Sequence, residues 1–401
     1  MWRRFYAFGL FSSLFLDQFL WLFYLLHLGY AAWQVGASYA LMQAGRMVFD
    51  VPSSFTADRL GARGLLVAGG LAKAMSSLCY LEASRGFGYV AVGSVLTSLA
   101  LTLPSGVDVA YLRRLTERTG SADEHAFSKH LAGYFAMQQA AALAAGLGGG
   151  LIADVSFALL YVLDALGGLL AALVALTLPR LPPVAMAGGS RTAQSPWPTL
   201  RAFGTTSRSY WRFGLLVAAL WALTQVGTEY TQAFFRGLGL TPALTSVLLG
   251  AASALAWLAT WAVGRVPQHW QRGLLRFLLW GYPLSALLRA APGRAALPFG
   301  IPGLCVGRAG SGAASVLTSA ELVRRAPAEL RATALSAVDT VYVGLTIALF
   351  PALGLLGTGR MDFVFLILGC GLLCVVPGLQ RSFTKEPGAV PEAAESEAGP
   401  E

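Results

Sequence analysis

The sequence predicts an all-α polytopic membrane protein whose twelve transmembrane helices form two six-helix bundles. Three observations carry that prediction. The 401 residues are 56% hydrophobic and only 12% charged, with a mean hydropathy of +0.60, whereas a soluble domain carries about 25% charged residues. Apolar runs of spanning length recur along the whole chain, and one long polar interruption falls near its middle. A span uses roughly 20 apolar residues, so a dozen use about 240 and leave short loops, which excludes a large soluble enzyme domain. Forty-six Gly against 19 Pro suit helices that approach one another closely in lipid.

Hydropathy marks the spans, in order, at 5–27, 33–56, 64–83, 87–112, 130–153, 157–178, 209–235, 242–265, 273–291, 295–320, 332–356 and 361–380. The basic start, Met1 to Arg4, leads into an apolar stretch that runs past Leu22 with no small-residue cleavage site, so it reads as a first span rather than a signal peptide. Residues 1–178 then make an N-terminal bundle and 208–381 a C-terminal one, joined by a Pro/Gly/Ser/Thr-rich, Arg-dotted cytoplasmic linker over 179–207. The acidic tail, 382–401, has too few apolar side chains to offset ordering entropy and is expected to be disordered. Twenty-one of the 29 Lys and Arg lie on the loops that share a side with the N-terminus. Five (Arg85, Arg236, Arg289, Arg294, Arg360) lie on the opposite loops and three within spans. The positive-inside bias therefore puts both termini in the cytoplasm.

A net charge of +9 does not indicate a nucleic-acid partner, because the bases sit at the ends of apolar runs rather than on one soluble face. Cys79, Cys305, Cys370 and Cys374 fall inside apolar runs without C-x-x-C spacing and read as small buried hydrophobes, so no metal site is expected. His27, His125, His130 and His269 are scattered without H-E-x-x-H spacing, and no G-x-S-x-G turn occurs, so the chain is not read as an enzyme. No G-x-x-x-x-G-K-S/T phosphate cradle is present either. The expected energy source is the proton gradient, and no cofactor is expected.

The two halves echo each other: Asp108 precedes Arg113 and Arg114, and Glu321 precedes Arg324 and Arg325, each at a cytoplasmic helix end. Between the second and third spans the chain reads Asp50-Val-Pro-Ser-Ser-Phe-Thr-Ala-Asp58-Arg59-Leu-Gly61-Ala-Arg63. Through Asp58, Arg59, Gly61 and Arg63 this loop resembles the G-x-x-x-D-R-x-G-R-R/K signature of the major facilitator superfamily; it departs at Ser54 and Ala62. Ser105-Gly106 with Ala110, and Arg331-Ala-Thr-Ala-Leu-Ser336, are similar to a bacterial drug- and metabolite-exporter branch, and the resemblance covers nearly all of the chain up to Ser382.

The resemblance implies a monomeric secondary transporter of the bacterial inner membrane, with a small molecule and protons as its partners. Gly61 permits a tight turn, and Asp58 can accept hydrogen bonds from a helix N-terminus or an Arg. The resemblance further implies that Asp58 latches the bundles on the cytoplasmic side, against Arg113 or Arg114 and the start of the eleventh span near Arg331. The counterpart near Gly264-Arg265 is degenerate, so a weaker latch is expected there.

Ionisable groups inside spans cost about 3 kcal/mol each on insertion scales and are functional candidates by default. The resemblance implies that spans one, four, seven and ten line a central cavity, while two, five, eight and eleven gate it. That places Asp17, Asp108, Glu229 and Arg308 on cavity spans and Arg46, Asp50, Gln138 and Asp339 on gating ones. At about 1.5 Å per residue, Asp17 and Arg46 lie roughly 18 and 15 Å from the cytoplasmic ends of their helices and match in depth. Arg46 is also four residues before Asp50. Asp17 is the expected proton carrier, with Arg46 and Asp108 beside it, because a carboxyl moved between dry and hydrated surroundings takes up and releases a proton. A permanent Asp17–Arg46 bridge that only joins two helices is the competing reading.

Glu229 lies in the polar patch Thr228-Glu-Tyr-Thr-Gln232, and with Gln225, Tyr230 and Gln232 it is expected at the substrate or at an outer gate. Arg308 either holds an anionic substrate or neutralises a cavity acid. Trp21, Tyr24, Trp221, Trp257 and Tyr342 offer stacking surface, and Lys73 and Asp164, on supporting spans, read as a structural pair. The leading expectation is proton-coupled export of a small amphipathic molecule. Symport or uniport of a small polar or anionic nutrient is the alternative within transport, suggested by Arg46 and Arg308. A non-transporting sensor or assembly protein on the same scaffold is the alternative outside it.

Overall fold

The computed structural model describes residues 2–105, 107–118, 124–180, 208–263, 265–325, 331–357 and 360–384, with side chains excepted at 50–60, 124–126, 128, 208–209, 268–269, 271–272, 294 and 331–336. Most of the expected linker and nearly all of the expected tail lie outside these residues. Among the described residues the chain forms thirteen α-helices and no strand: α1 (Trp2–Ser12), α2 (Trp21–His27), α3 (Ala32–Leu81), α4 (Phe87–Thr102), α5 (Val107–Arg118), α6 (Glu124–Val155), α7 (Phe157–Leu176), α8 (Arg208–Gly237), α9 (Pro242–Val263), α10 (Gln268–Arg289), α11 (Ala296–Arg325), α12 (Arg331–Leu356) and α13 (Met361–Thr384). Seven helical stretches are long and apolar enough to cross a membrane on length and composition alone. Leu166, Leu169 and Leu173 on α7 and Trp257 and Trp261 on α9 are exposed, the outward apolar face that lipid requires of an integral membrane protein.

Four boundaries differ from those the sequence suggests. The first span is not continuous: it unwinds over residues 13–20, so that α1 and α2 flank a non-helical segment holding Asp17. The second and third spans share one helical path, α3, interrupted at Gly61 with φ 69° and ψ 157°, a left-handed φ that a glycine adopts without steric cost. The fourth breaks between Thr102 and Val107, around Pro104, because a proline lacks the N–H the ladder needs and its ring crowds the carbonyl one turn before it. The last helix continues to Thr384, past the expected start of the tail at Ser382.

Helices up to α7 pack mainly among themselves, as do α8 to α13; across the halves, α3 meets α12, α6 meets α9 and α2 meets α8. These three contacts sit at the end of the molecule opposite the chain start, here termed the far end. Gly36 of α3 lacks the Cβ that would stand 2.7 Å from Pro351 Cα, and Gly354 of α12 lacks one that would approach Ala32 O. Asp154 closes the α6–α9 seam by accepting from Ala243 N at 3.2 Å. One apolar cluster runs across both halves there, joining Leu22, Phe23 and Val35 to Phe234, Phe350 and Leu353. At the near end a separate cluster, with Phe5, Leu66, Tyr111 and Tyr134 at its centre, holds only residues of the first half.

The near end of the second half is tied by the motif Glu321-Leu-Val-Arg324-Arg325. Arg325 donates to Glu321 Oε1 and to Ser382 O, both at 2.7 Å, and lies over the Phe213 ring at 4.4 Å; Arg324 donates to Glu321 Oε1 at 2.7 Å. Burial alone would raise the Glu321 carboxyl, but the hydrogen bonds from the two guanidiniums outweigh it and hold the carboxyl below the ordinary glutamate range. A depressed carboxyl contributes stability above its unfolded pKa, and that contribution disappears as pH falls through the folded value. Thermal unfolding of the wild type should therefore fall more steeply than that of Glu321→Gln between about pH 5 and 3, with the two curves parallel above that window; parallel curves throughout would contradict the pairing.

Candidate functional site

A break in the middle of a membrane helix strands backbone groups that lipid cannot satisfy, at several kcal/mol each. Three side chains from three other spans satisfy them here. Lys73, on the third span and 2% exposed, donates to Phe11 O at 3.0 Å and to Leu14 O at 2.6 Å, the carbonyls released where α1 ends. Asp164 of α7 accepts from Leu16 N at 2.9 Å and from Ser77 Oγ at 2.6 Å. Gln232 of α8 accepts from Leu22 N at 3.1 Å and Phe23 N at 3.4 Å, the open N–H groups at the start of α2. The Lys73 ammonium stands 4.0 Å from Asp164 and 4.3 Å from the centre of the Phe15 ring. Gly146 and Gly149 of α6 leave room for the unwound segment: Cβ atoms there would collide with the Phe19 ring and with Leu16 O.

Asp17 projects from this segment into a cavity of about 450 Å³ between the halves. Its charged neighbours are Asp164 and Lys73. Arg46 lines the same cavity but donates to Gln43 Oε1 at 3.1 Å, so the Asp17–Arg46 bridge that matched depths suggest is not formed; the unwinding of span one carries Asp17 toward α3 and α7 instead. Trp21 donates from Nε1 to Glu229 Oε2 at 3.0 Å, and Gln225 and Gln232 donate to the Glu229 oxygens at 2.9 and 3.3 Å. These bonds, with the Trp21–Tyr39 stack at 5.7 Å between ring centroids and the Tyr39–Phe350 stack at 4.3 Å, floor the cavity at its far end. Gln138 lines the cavity and donates to Tyr134 Oη at 3.0 Å; Tyr134 in turn donates to Asp108 at 2.8 Å, so this relay links Asp108 to the cavity.

The sequence-expected residues divide accordingly. Asp17, Trp21, Arg46, Gln138, Gln225 and Glu229 line one cavity. Tyr230 lies outside it, 1% exposed, because its hydroxyl donates to Phe350 O at 2.7 Å in the far-end seam, where Gly354 makes room. Gln232 is buried as the cap of α2, and Arg308 lies within the second half rather than on the cavity wall. Asp339 is exposed on α12, and Arg113 is paired with Glu117 at 3.5 Å, with Arg114 half-buried next to it. The side chains of Asp50, Asp58, Arg59 and Arg331 lie outside the described residues; Arg63 is half-buried beyond Gly61. Arg265, at the degenerate counterpart loop, stacks on Trp261 at 3.4 Å. Arg289 is not an outer-loop charge: it is 7% exposed and turned into the second bundle, where Gly227 O and Ser285 O accept from it. Sequence reasoning missed Gln18, Tyr39, Thr97 and Gln139 on the cavity wall; of these, Gln18, adjacent to Asp17, and Gln139, adjacent to Gln138, carried a signal.

No protein-family model and no curated protein matches the chain. Solved structures do resemble it. A single-substitution form of the nucleoside transporter NupG superposes with a TM-score of 0.77 at 14% identity, over 95% of this chain and 98% of that one. A bacterial homologue of the iron transporter ferroportin in an inward-facing state gives 0.69 at 15% identity, over 96% and 97%. A D-xylose–proton symporter gives 0.69 at 14%, over 96% and 98%. The chain thus shares the fold of these solved transporters.

Proposed function

We propose that this chain is a secondary transporter of the bacterial inner membrane that works by alternating access between two six-helix bundles, exporting a small amphipathic molecule in exchange for protons. The observation that carries the reading is the cavity between the halves, floored at one end by the Trp21–Glu229 bond and carrying a carboxyl group, Asp17, on an unwound stretch of membrane helix. Solute sites at broken helices near the midplane, between repeats, are the general plan of such proteins. The far end is sealed along α3–α12 and α6–α9 while the near-end apolar cluster stays within one half, so the conformation described is open toward the termini, the cytoplasmic side by the positive-inside bias. The cavity's mixture of Trp21 and Tyr39 rings with Gln18, Gln138 and Gln225 amides suits a solute that is apolar on one face and hydrogen-bonding on the other.

Arg46 on the cavity wall favours a second reading, symport of a small anionic nutrient. Flux of a radiolabelled solute panel in proteoliposomes, with the pH gradient imposed in each direction, separates the two. Antiport gives solute movement opposite to proton flow, symport gives movement along with it, and absence of any gradient-driven flux would reject coupled transport.

A further inference from the structure

We infer that a single small monovalent anion of halide size binds inside the second bundle, between Arg289 and Arg308. The two arginines line a small pocket together with Thr228, Ser285, Ser311 and Gly227, distinct from the central cavity. Its volume of about 20 Å³ exceeds the roughly 10–15 Å³ that admits one water-sized guest and is too small for an organic solute.

The donors are placed but not all answered. Arg289 uses four of its five N–H groups: Nε on Ser285 O at 3.2 Å, Nη1 on Gly227 O at 3.0 Å and Thr231 Oγ1 at 2.7 Å, and Nη2 on Ser285 Oγ at 3.0 Å. One Nη2–H remains. Arg308 Nε is buried and has no hydrogen-bond partner among the described residues. Charge is unbalanced in the same place. Glu229 is the carboxylate that acts on Arg308, and the charged group that acts on Arg289 is Arg308 itself, so two guanidiniums share a single negative charge. A buried cation without a counter-charge is among the most unfavourable arrangements in a protein interior, and two adjacent guanidiniums make a strong, charge-assisted anion cradle. Glycine shapes it: a Cβ on Gly307 would collide with Ser285 Oγ, the acceptor of Arg289 Nη2.

The test uses the purified full-length chain in detergent, in sodium gluconate at fixed ionic strength, with gluconate replaced stepwise by chloride or bromide. The expected result is a saturable rise in melting temperature of about 3 °C with either halide, absent from Arg308→Gln. Identical melting in chloride and gluconate, or an undiminished halide response in Arg308→Gln, would overturn the site. Should that variant not fold, bromide-soaked crystals of the wild type decide: an anomalous peak between Arg289 and Arg308 supports the inference, and its absence at saturating bromide refutes it. Neither readout depends on transport.

Discussion

Lys73→Met should lower the stability of the folded protein by about 3–5 kcal/mol, the usual consequence of removing one partner from a buried charge pair. Methionine keeps most of the Lys73 stem, so packing changes little, while the ammonium that serves Phe11 O, Leu14 O and Asp164 and lies over the Phe15 ring is lost. Two carbonyls and a carboxylate are then left in a dry interior at once. The double variant Lys73→Met/Asp164→Leu removes the stranded charge but also deprives Leu16 N of its acceptor and leaves Ser77 Oγ with Lys73 O, so it should recover only part of the loss. Arg46→Met, at an exposed position on the cavity wall, is the control and should stay within about 1 kcal/mol of wild type. Thermal unfolding in detergent measures all four proteins. A Lys73→Met chain that melts with the wild type would mean that something other than this amine satisfies the break in span one.

That break shows where the sequence was legible and where it was not. Hydropathy reports how apolar a segment is, not whether its backbone is helical, so residues 5–27 read as one rod although eight of them are unwound. The compensating residues were nonetheless visible as anomalies: Lys73 and Asp164 stood out as charges inside apolar runs, and Gln232 as part of a polar patch. Their common target was hidden, because it is main chain belonging to another span, and no spacing rule links positions 73, 164 and 232. The same limit explains Arg289. Counting it among outer-loop charges follows from its place at a helix end, whereas a long side chain reaches inward as easily as outward when acceptors such as Gly227 O and Thr231 Oγ1 lie there. Gly61 was legible for the opposite reason, since a left-handed turn depends on one residue's own conformation. The cavity falls between these cases: of six lining residues the sequence singled out, Asp17, Arg46, Gln138, Gln225 and Glu229 stood out as polar in apolar surroundings and Trp21 as stacking surface, while Tyr39 and Thr97 look like ordinary membrane residues until the helices are assembled.

Asp17→Asn should cut pH-gradient-driven flux at least tenfold while leaving solute exchange at equal pH on both sides of the membrane largely intact. The distinction rests on what the substitution removes. Asparagine keeps the size and hydrogen-bonding oxygen of the side chain, so the unwound segment and its Lys73, Asp164 and Gln232 supports should persist, but the position no longer takes up and releases a proton. Solute exchange needs only a cavity that faces each side in turn, whereas coupling needs a titrating group whose surroundings change as it does so. Asp17 meets that requirement physically: it points into the open cavity from a segment bracketed by two helices of the same span, with Asp164 and Lys73 as its charged neighbours, so a small rotation of α1 against α2 alters both its hydration and its electrostatic surroundings. Glu229 is the necessary comparison. Its oxygens are already held by Trp21, Gln225 and Gln232 across the seam between the halves, so Glu229→Gln should disturb exchange as well as coupling by loosening the far-end floor. If Asp17→Asn retained gradient-driven flux and Glu229→Gln lost it without losing exchange, the coupling role would pass to Glu229; if both variants lost exchange, the two carboxylates would be solute ligands first.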